Sequence, residues 1–217
     1  MKKKENVLVF CAHSDDQIFG PGATLASYAK EGKDIYTYIF SYGEASLLWL
    51  KRKVAVKTRV KEAKKADKII GGRGVFFFGL KEGRFPDEIK TKRIVRRLAK
   101  IIREKRPGKI FTHSFNDPHP DHRIVYNAVM NAISDIKYKG DVFAFDVWNP
   151  FIFRKTFLPK LYVDATKTFD KKLRALKSFE SQKSSLIPLF WSVWFRALVH
   201  GFHIHKKYAE RFFKIIE

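Results

Sequence analysis

The sequence predicts an α/β protein, a single domain in which a mostly parallel β-sheet is covered by helices on both faces. Two observations favour this class. Short apolar runs typical of buried strands alternate with longer amphipathic stretches, and the connections between them are short. Polar clusters follow two of the apolar runs, where open α/β sheets bind ligands. We therefore expect a Rossmann-like fold of three layers over residues 1–217, with its functional site at the carboxyl ends of the strands.

The predicted elements follow one another in a regular order. The first half contains strands at 6–12, 34–40 and 74–80, with helices at 22–31, 52–70 and 87–105. The second half contains strands at 109–114, 142–148 and near 161–164, with helices at 120–136 and 168–183. The tail, residues 184–217, is aromatic and basic. We expect it to pack on the domain or on a partner subunit of a homo-oligomer.

The composition favours a folded protein in a reducing compartment. Hydrophobic residues make up 45% of the 217 residues, which is typical of a globular domain. The single cysteine, Cys11, rules out an internal disulfide. The apolar run after the N-terminus is too short for a signal peptide, and no stretch approaches the roughly 20 apolar residues of a membrane span. These features predict a soluble, cytoplasmic protein.

The formal net charge of +22 indicates an anionic partner without identifying it. A basic surface attracts nucleic acid, anionic lipid and phosphorylated small molecules alike. The cations of 51–68 and 90–106 have helical spacing, which is typical of the solvated face of a helix. Neither stretch interleaves basic and aromatic residues as a single-strand binding platform does. The charge leaves open a nucleic-acid-binding protein with a structural metal site, as the alternative to an enzyme.

The first polar cluster, "AHSDDQ" at 12–17, follows the first strand and favours a bound cation. It brings together His13, Asp15 and Asp16. Adjacent carboxylates repel each other and are costly to desolvate, and a cation removes both penalties. The glycines that follow do not form the G-x-G-x-x-G pattern of a dinucleotide site.

The second cluster, "HPDH" at 119–122, follows the fourth strand and completes a possible metal site. Its proline suits the first turn of a helix. His13, Asp16 and His122 can supply two imidazoles and a carboxylate to one divalent ion. Catalytic zinc commonly has three protein ligands, and iron(II) uses a similar set, so the ligands alone leave both metals open.

These motifs resemble those of the PIG-L/LmbE-like family of zinc-dependent N-acetylglucosamine deacetylases. The family patterns are A-H-P-D-D-E and H-P-D-H, and this chain has Ser14 in place of the proline and Gln17 in place of the glutamate. Further matches occur in "SYGEAS", "RVKEAKKAD", "VDATKTFDKKLRALKSFESQ" and "YAERF", so the likeness covers nearly the whole chain. The change at Gln17 removes a negative charge beside the site and bears on substrate preference.

The resemblance implies a role for each motif residue. His13, Asp16 and His122 correspond to the ligands of one zinc ion, and Asp15 to the general base that takes a proton from a zinc-bound water. His119 corresponds to the residue that stabilises the oxyanion or protonates the leaving amine. Asp121 is expected to orient His119 and to raise its pKa.

The resemblance also implies the reaction, which is hydrolysis of the acetyl group from an N-acetylated amino sugar. Arg59 corresponds to a substrate-binding arginine, although its position on a basic helix also suits a solvated cation. Asn149 matches a frequent family asparagine, and His113 is expected to be a hydrogen-bonded core residue. The positive charge favours an anionic or lipid-linked sugar, a peripheral contact with an anionic membrane surface, and no specific nucleic acid.

Overall fold

The structure is a computed structural model that describes residues 4–43, 51–147 and 158–215, with the backbone alone for 183–188. The strands are β1 (Asn6–Cys11), β2 (Asp34–Ser41), β3 (Gly74–Leu80), β4 (Lys109–His113), β5 (Asp141–Phe145), β6 (Lys160–Asp164) and β7 (Ala209–Ile215). They form one sheet in the order β3-β2-β1-β4-β5-β7-β6. The first five strands in that order are parallel, and β7 is antiparallel to both of its neighbours. The predicted α/β class with a mostly parallel sheet is confirmed.

The helices cover both faces of this sheet. They are α1 (Asp16–Phe19), α2 (Gly22–Lys30), α3 (Arg52–Ile70), α4 (Phe85–Thr91), α5 (Ile94–Lys105), α6 (Pro120–Asp135), α7 (Phe169–Leu176) and α8 (Lys183–Phe202). Val7 and Val9 belong to the apolar cluster formed with α2, α3 and α7, whereas Leu8 and Phe10 belong to the cluster formed with α5 and α6. Successive side chains of a strand point to opposite faces, so β1 contributes to both cores and the fold has three layers.

The prediction of one helix over 87–105 is wrong, because the chain forms α4 and α5 with Arg93 between them in the left-handed region at φ 51°. Phe85 and Ile94 are both fully buried in the same apolar cluster. They are nine positions apart, and at about 100° per residue a continuous helix would point them to opposite sides. The break allows both to face the core.

The tail contributes α8 and β7, and β7 lies inside the sheet between β5 and β6. Two charged residues interrupt the apolar pattern from which this strand could have been predicted. Glu210 is buried and its Oε1 lies 2.6 Å from Lys172 Nζ, while Arg211 Nη2 lies 3.0 Å from Asp146 Oδ2. None of the described helices is long and apolar enough to cross a membrane.

The sheet order brings the two sequence motifs together. β1 and β4 are parallel neighbours, with Val7 opposite Lys109 and Val9 opposite Phe111. Neighbouring strands lie about 4.8 Å apart, and parallel strands end at the same edge. The segments after Cys11 and His113 therefore leave the sheet side by side.

Candidate active site

The first motif folds into a turn that begins α1. The backbone N–H of His13 donates to Asp16 Oδ2 at 2.7 Å. Gln17 Nε2 donates to the carbonyl oxygen of Ser14 at 3.0 Å. Gln17 is fully buried. Its neutral amide therefore braces the turn and does not line the open side of the site.

The two neighbouring carboxylates point in different directions. The Asp16 side chain is 2% exposed, and its oxygens lie 3.4 Å from His122 Nε2 and 3.2 Å from His113 Nε2. The Asp15 side chain is 13% exposed, and its Oδ2 lies 3.6 Å from Arg59 Nη2. The repulsion that the sequence suggests is reduced because Asp15 faces the Arg59 guanidinium, whereas Asp16 faces His122.

The second motif begins α6, with His119 as the N-cap residue and Pro120 in the first turn. His119 Nδ1 accepts a hydrogen bond from the backbone N–H of Asp121 at 3.2 Å. A neutral imidazole that accepts at Nδ1 carries its proton at Nε2. The capping contact therefore leaves the Nε2–H of His119 as a hydrogen-bond donor.

Three ligand atoms converge between the two motifs. His13 Nδ1 lies 3.3 Å from His122 Nε2 and 3.5 Å from Asp16 Oδ2, and His122 Nε2 lies 3.4 Å from Asp16 Oδ1. A tetrahedral zinc ion with bonds of about 2.0 Å separates its ligand atoms by about 3.3 Å. With one oxygen taken from Asp16, the three ligand atoms all lie within 4.8 Å of one another. The predicted ligand set therefore fits one zinc ion in the number and the chemistry of its atoms.

The charges at this point also suit a cation. Burial lowers the pKa of His13, but its contacts with Asp121 and Asp16 outweigh that effect and raise the pKa to about 10. Burial lowers the pKa of His122 too, and Asp16 and Asp117 raise it to about 9. Two protons cannot occupy the 3.3 Å gap between the facing ring nitrogens without repulsion. One shared divalent cation satisfies the same carboxylates without that conflict.

Two further carboxylates lie behind the histidines of this set. Asp121 Oδ2 is 3.4 Å from His13 Nε2, and Asp117 Oδ1 is 2.9 Å from His122 Nδ1. The groups His13–His119–Asp121 and His113–Asp117–His122 also bring three ligand atoms within 4.8 Å. Metal-binding histidines usually contact a carboxylate or carbonyl through the other ring nitrogen. The central set with one carboxylate behind each imidazole matches that arrangement.

The contacts of Asp121 differ from the expectation that it orients His119. Its carboxylate faces His13, and only its backbone N–H contacts the His119 ring. Burial, His122 and His13 lower the pKa of His119, and the opposing effect of Asp121 is smaller. The helix geometry explains the difference, because the N-cap residue accepts from a backbone N–H of the first turn.

Two site residues lie outside the sequence-based assignment. Asp117 is fully buried and accepts a hydrogen bond from the backbone N–H of His119 at 2.9 Å. Its position two residues before the second motif is the only signal in the sequence. His113 is also fully buried, and its Nε2 accepts from the backbone N–H of Ala12 at 3.0 Å. The prediction of a hydrogen-bonded core histidine is confirmed, and this bond joins the ends of β4 and β1.

Arg59 lies at the site and is not a solvated cation. The residue is 2% exposed, and its guanidinium lies beside Asp15 and 3.9 Å from Glu62 Oε2. Gly43, at φ 75°, allows this approach, since a Cβ there would come within 2.9 Å of the guanidinium. Among the groups that the structure describes, Nε and Nη1 of Arg59 have no hydrogen-bond partner. Asn149 and residues 44–46 of "SYGEAS" lie outside the described residues.

Fold and site together define a class of protein: an α/β protein with a candidate mononuclear metal site at the carboxyl edge of its sheet, flanked by a carboxylate outside the ligand set. Residues 8–133, more than half of the chain, match the family described as PIG-L: GlcNAc-PI de-N-acetylase. The chain belongs to the PIG-L family.

Two relatives extend the similarity along the sequence. A diacetylchitobiose deacetylase of Thermococcus kodakarensis is 25% identical over an alignment of 227 positions, which covers 95% of this chain and 81% of the relative. The uncharacterized deacetylase YaiS of Escherichia coli is 25% identical over 185 residues, which cover 82% of this chain and 92% of the relative.

Solved structures share the fold over almost the entire chain. The N,N'-diacetylchitobiose deacetylase of Pyrococcus horikoshii superposes with a TM-score of 0.82 at 20% identity, covering 99% of this chain and 85% of that structure. A zinc-inhibited form of teicoplanin deacetylase Orf2 gives 0.81 at 19% identity, with coverages of 97% and 98%. GalB, a 4-carboxy-2-hydroxymuconate hydratase of Pseudomonas putida, gives 0.83 at 23% identity, with coverages of 98% and 97%. The reaction therefore has to be argued from the site, because these structures share one fold and carry different activities.

Proposed function

We propose that this protein hydrolyses the acetyl group of an N-acetylated amino sugar, using one divalent cation held by His13, Asp16 and His122. The observation that carries the proposal is the convergence of these three residues: His13 Nδ1 and His122 Nε2 lie 3.3 Å apart, and each lies within 3.5 Å of a different Asp16 oxygen. Asp15, the neighbour of Asp16 in the chain, faces Arg59 and lies outside this set. Family membership and the deacetylase names of the relatives support the same reaction.

Asp15 acts as the general base. The chemistry that the cation supplies when bound is polarisation of a water molecule and of the acetamide carbonyl. The Asp15 carboxylate, held beside Arg59 and partly exposed, accepts a proton from the water as the water oxygen bonds to the carbonyl carbon. Asp16 cannot take this part, because its oxygens are buried against the histidines.

His119 stabilises the charge that develops on the carbonyl oxygen. Its Nδ1 accepts from the backbone of Asp121, so its Nε2–H is free to donate to that oxygen. When the C–N bond breaks, the nitrogen takes a proton from Asp15, and the products are acetate and a free amine. Asp121 fixes the ring of His13 through its carboxylate and the ring of His119 through its backbone.

The substrate is an anionic or lipid-linked amino sugar. The net charge of +22 supports this class over a neutral sugar, since a basic surface attracts negatively charged ligands. Arg59, with two buried guanidinium nitrogens that lack hydrogen-bond partners among the described groups, is the residue proposed to contact the substrate beside Asp15.

Acetate release is the test of this proposal. We would measure it with N-acetylglucosamine, its 1-phosphate and diacetylchitobiose, using metal-free protein, zinc-restored protein and the Asp15→Asn variant. Asp15→Asn should keep its zinc and lose about 10²–10⁴-fold in kcat, because a general base supplies that factor. Asp170→Asn, an exposed change of the same kind on α7, should match wild type.

Two results would overturn the proposal. One is the absence of acetate release from all three sugars by zinc-restored protein. The other is an Asp15→Asn variant with wild-type activity. Tight, strongly salt-dependent binding of duplex or single-stranded nucleic acid that Asp15→Asn leaves unchanged would instead support the nucleic-acid-binding alternative.

A further inference from the structure

One face of α8 exposes a continuous row of large apolar side chains. The row consists of Trp191, Trp194, Phe195, Leu198, Val199 and Phe202, each 40–82% exposed. Their spacing of three and four residues places them along one side of the helix. Val193 and Ala197, on the other side, are buried against the domain. We refer to the exposed row as the α8 face.

The α8 face is larger and more aromatic than the other exposed apolar positions. From Trp191 to Phe202 it extends for about 17 Å at 1.5 Å per residue. Elsewhere in the described chain, the large exposed apolar side chains are Val54, Phe76 and Phe115, which lie far apart in the sequence on different elements. A contiguous patch of this kind on a folded protein marks an interaction surface.

The charged residues that follow this face along the chain are lysines. The sequence has no Asp or Glu between Glu180 and Glu210, and Lys206 and Lys207 lie four and five residues after the end of α8. Both lysines are exposed. Lys207 Nζ lies 5.3 Å from the Tyr208 ring, which itself contacts Trp194. The face therefore combines tryptophan and phenylalanine with lysine at its rim, which is the composition that membrane interfaces favour.

We propose that the α8 face docks this protein on the surface of an anionic lipid bilayer, with the helix lying in the plane of the interface. The bilayer supplies negative charge opposite the lysines and an apolar layer for the aromatic rings. A second copy of the same chain fits less well, because its own net charge of +22 brings like charges together. This inference stands independently of the proposed enzymatic reaction.

Docking through α8 also brings the candidate active site near the bilayer, and the relevance of this placement rests on the proposed function. Lys206, just beyond the helix, contacts Asp164 at 3.9 Å, and Asp164 is the last residue of β6. β6 runs in the same direction as β5, since both are antiparallel to β7. The end of α8 thus lies at the carboxyl edge of the sheet, as the candidate active site does. Docking brings that edge toward the bilayer, where a lipid-linked sugar is presented.

Vesicle flotation tests the docking directly. The protein of 217 residues would be mixed with vesicles of phosphatidylcholine alone, or of phosphatidylcholine and phosphatidylglycerol in equal parts. Wild type should float with the anionic vesicles and not with the neutral ones. Leu198→Glu should lower the partition coefficient about tenfold. It replaces a leucine side chain that is 48% exposed on the α8 face and adds a negative charge.

Two more variants make the result specific. Val54→Glu adds the same charge at an aliphatic residue on α3 that is 49% exposed, against 48% for Leu198, and should float like wild type. Phe202→Ser removes a ring that is 82% exposed and should weaken flotation without affecting folding. Equal binding by Leu198→Glu and Val54→Glu would overturn the proposal. So would wild type that does not float, wild type that floats equally with neutral vesicles, or a dimer in solution that Leu198→Glu dissociates.

Discussion

Asp117 is the buried carboxylate that supports His122. Its Oδ1 lies 2.9 Å from His122 Nδ1 and also accepts from the backbone N–H of His119, while its Oδ2 accepts from the backbone N–H of Val147 at 3.4 Å. A carboxylate behind a metal-binding imidazole fixes the ring orientation and raises the basicity of the other nitrogen. Asp117 therefore fixes the orientation of the His122 ring and also shapes the loop before α6.

We expect Asp117→Asn to lower the affinity for zinc about 10–100-fold, because the amide keeps the shape but not the charge. Competition with a chelator measures the affinity. Asp135→Asn, an exposed change near the end of α6, is the matched control and should leave it unaltered. A zinc affinity equal to that of wild type would contradict this role and leave Asp117 with its backbone hydrogen bonds to the loop only.

Asp67 should make folding stability depend on pH. Burial raises the pKa of its carboxyl to about 7, against a hydrogen bond with the backbone of Gly74 that lowers it. Between about pH 4 and 7 the unfolded chain has lost this proton while the folded chain keeps it. The free energy of unfolding therefore falls as pH rises through this window, and the loss stays constant above it.

The Asp67→Asn variant should lack this part of the pH dependence. Its free energy of unfolding at pH 8 should exceed that of wild type by at most about 4 kcal/mol, since three pKa units correspond to that value. Urea unfolding at pH 5 and pH 8 measures the difference, with Asp170→Asn as an exposed control. A slope against pH identical to that of wild type would contradict this account of Asp67.

At the level of single residues, the sequence predicts the candidate ligands but not the carboxylates that face their rings. His13, Asp16 and His122 stand in motifs that follow two strands, and the sheet order brings their atoms together. The carboxylate facing each ring depends on the path of a loop. Asp117 and Asp121 therefore required the structure, because spacing in the sequence does not determine side-chain direction.

At the level of elements, β7 is held in the sheet by a buried ion pair. Lys172 Nζ on α7 donates to Glu210 Oε1 and to the carbonyl oxygens of Phe19 and Gly20. The Glu210 carboxylate in turn accepts from the backbone N–H groups of Ala23 and Thr24 in the first turn of α2. One contact network thus joins α7, α2 and β7 beneath the first motif.

Breaking this pair should destabilise the fold strongly. Lys172→Met leaves a buried, unpaired carboxylate and should lower the free energy of unfolding by about 3–5 kcal/mol. Lys65→Met, which breaks the exposed pair with Glu180, should change it by less than about 1 kcal/mol. Urea unfolding compares the two variants. Equal losses would show that the buried pair is not what holds β7.

Elements with a regular apolar pattern are predicted from the sequence, whereas β7 is not. The apolar runs of β1 to β5 and the helices α2, α3 and α6 are predicted correctly because each follows a simple periodicity. The helix predicted over 168–183 is too long, since α7 ends at Leu176. β7 breaks its pattern with Glu210 and Arg211, whose partners Lys172 and Asp146 are distant in sequence. The break between α4 and α5 could not be predicted from the sequence either, because it depends on the burial of both Phe85 and Ile94 in one apolar cluster.

At the level of the whole molecule, the net charge of +22 predicts a salt-dependent preference for anionic substrates. Exposed charges act over a Debye length of about 10 Å at 0.1 M salt, and higher salt shortens that range. The KM for N-acetylglucosamine 1-phosphate should therefore rise several-fold with salt, while the KM for neutral N-acetylglucosamine changes little. Steady-state acetate release measures both. Equal salt sensitivity would remove the charge argument for the substrate.

The central claim is that two loops, one after β1 and one after β4, bind a single zinc ion next to a carboxylate that does not coordinate it. Anomalous diffraction at the zinc absorption edge, from crystals grown with zinc, tests this most directly. We expect one peak bonded to His13, Asp16 and His122, with Asp15 facing it and not bonded. A peak held instead by His113 and Asp117, or one that Asp15 coordinates, would contradict the account.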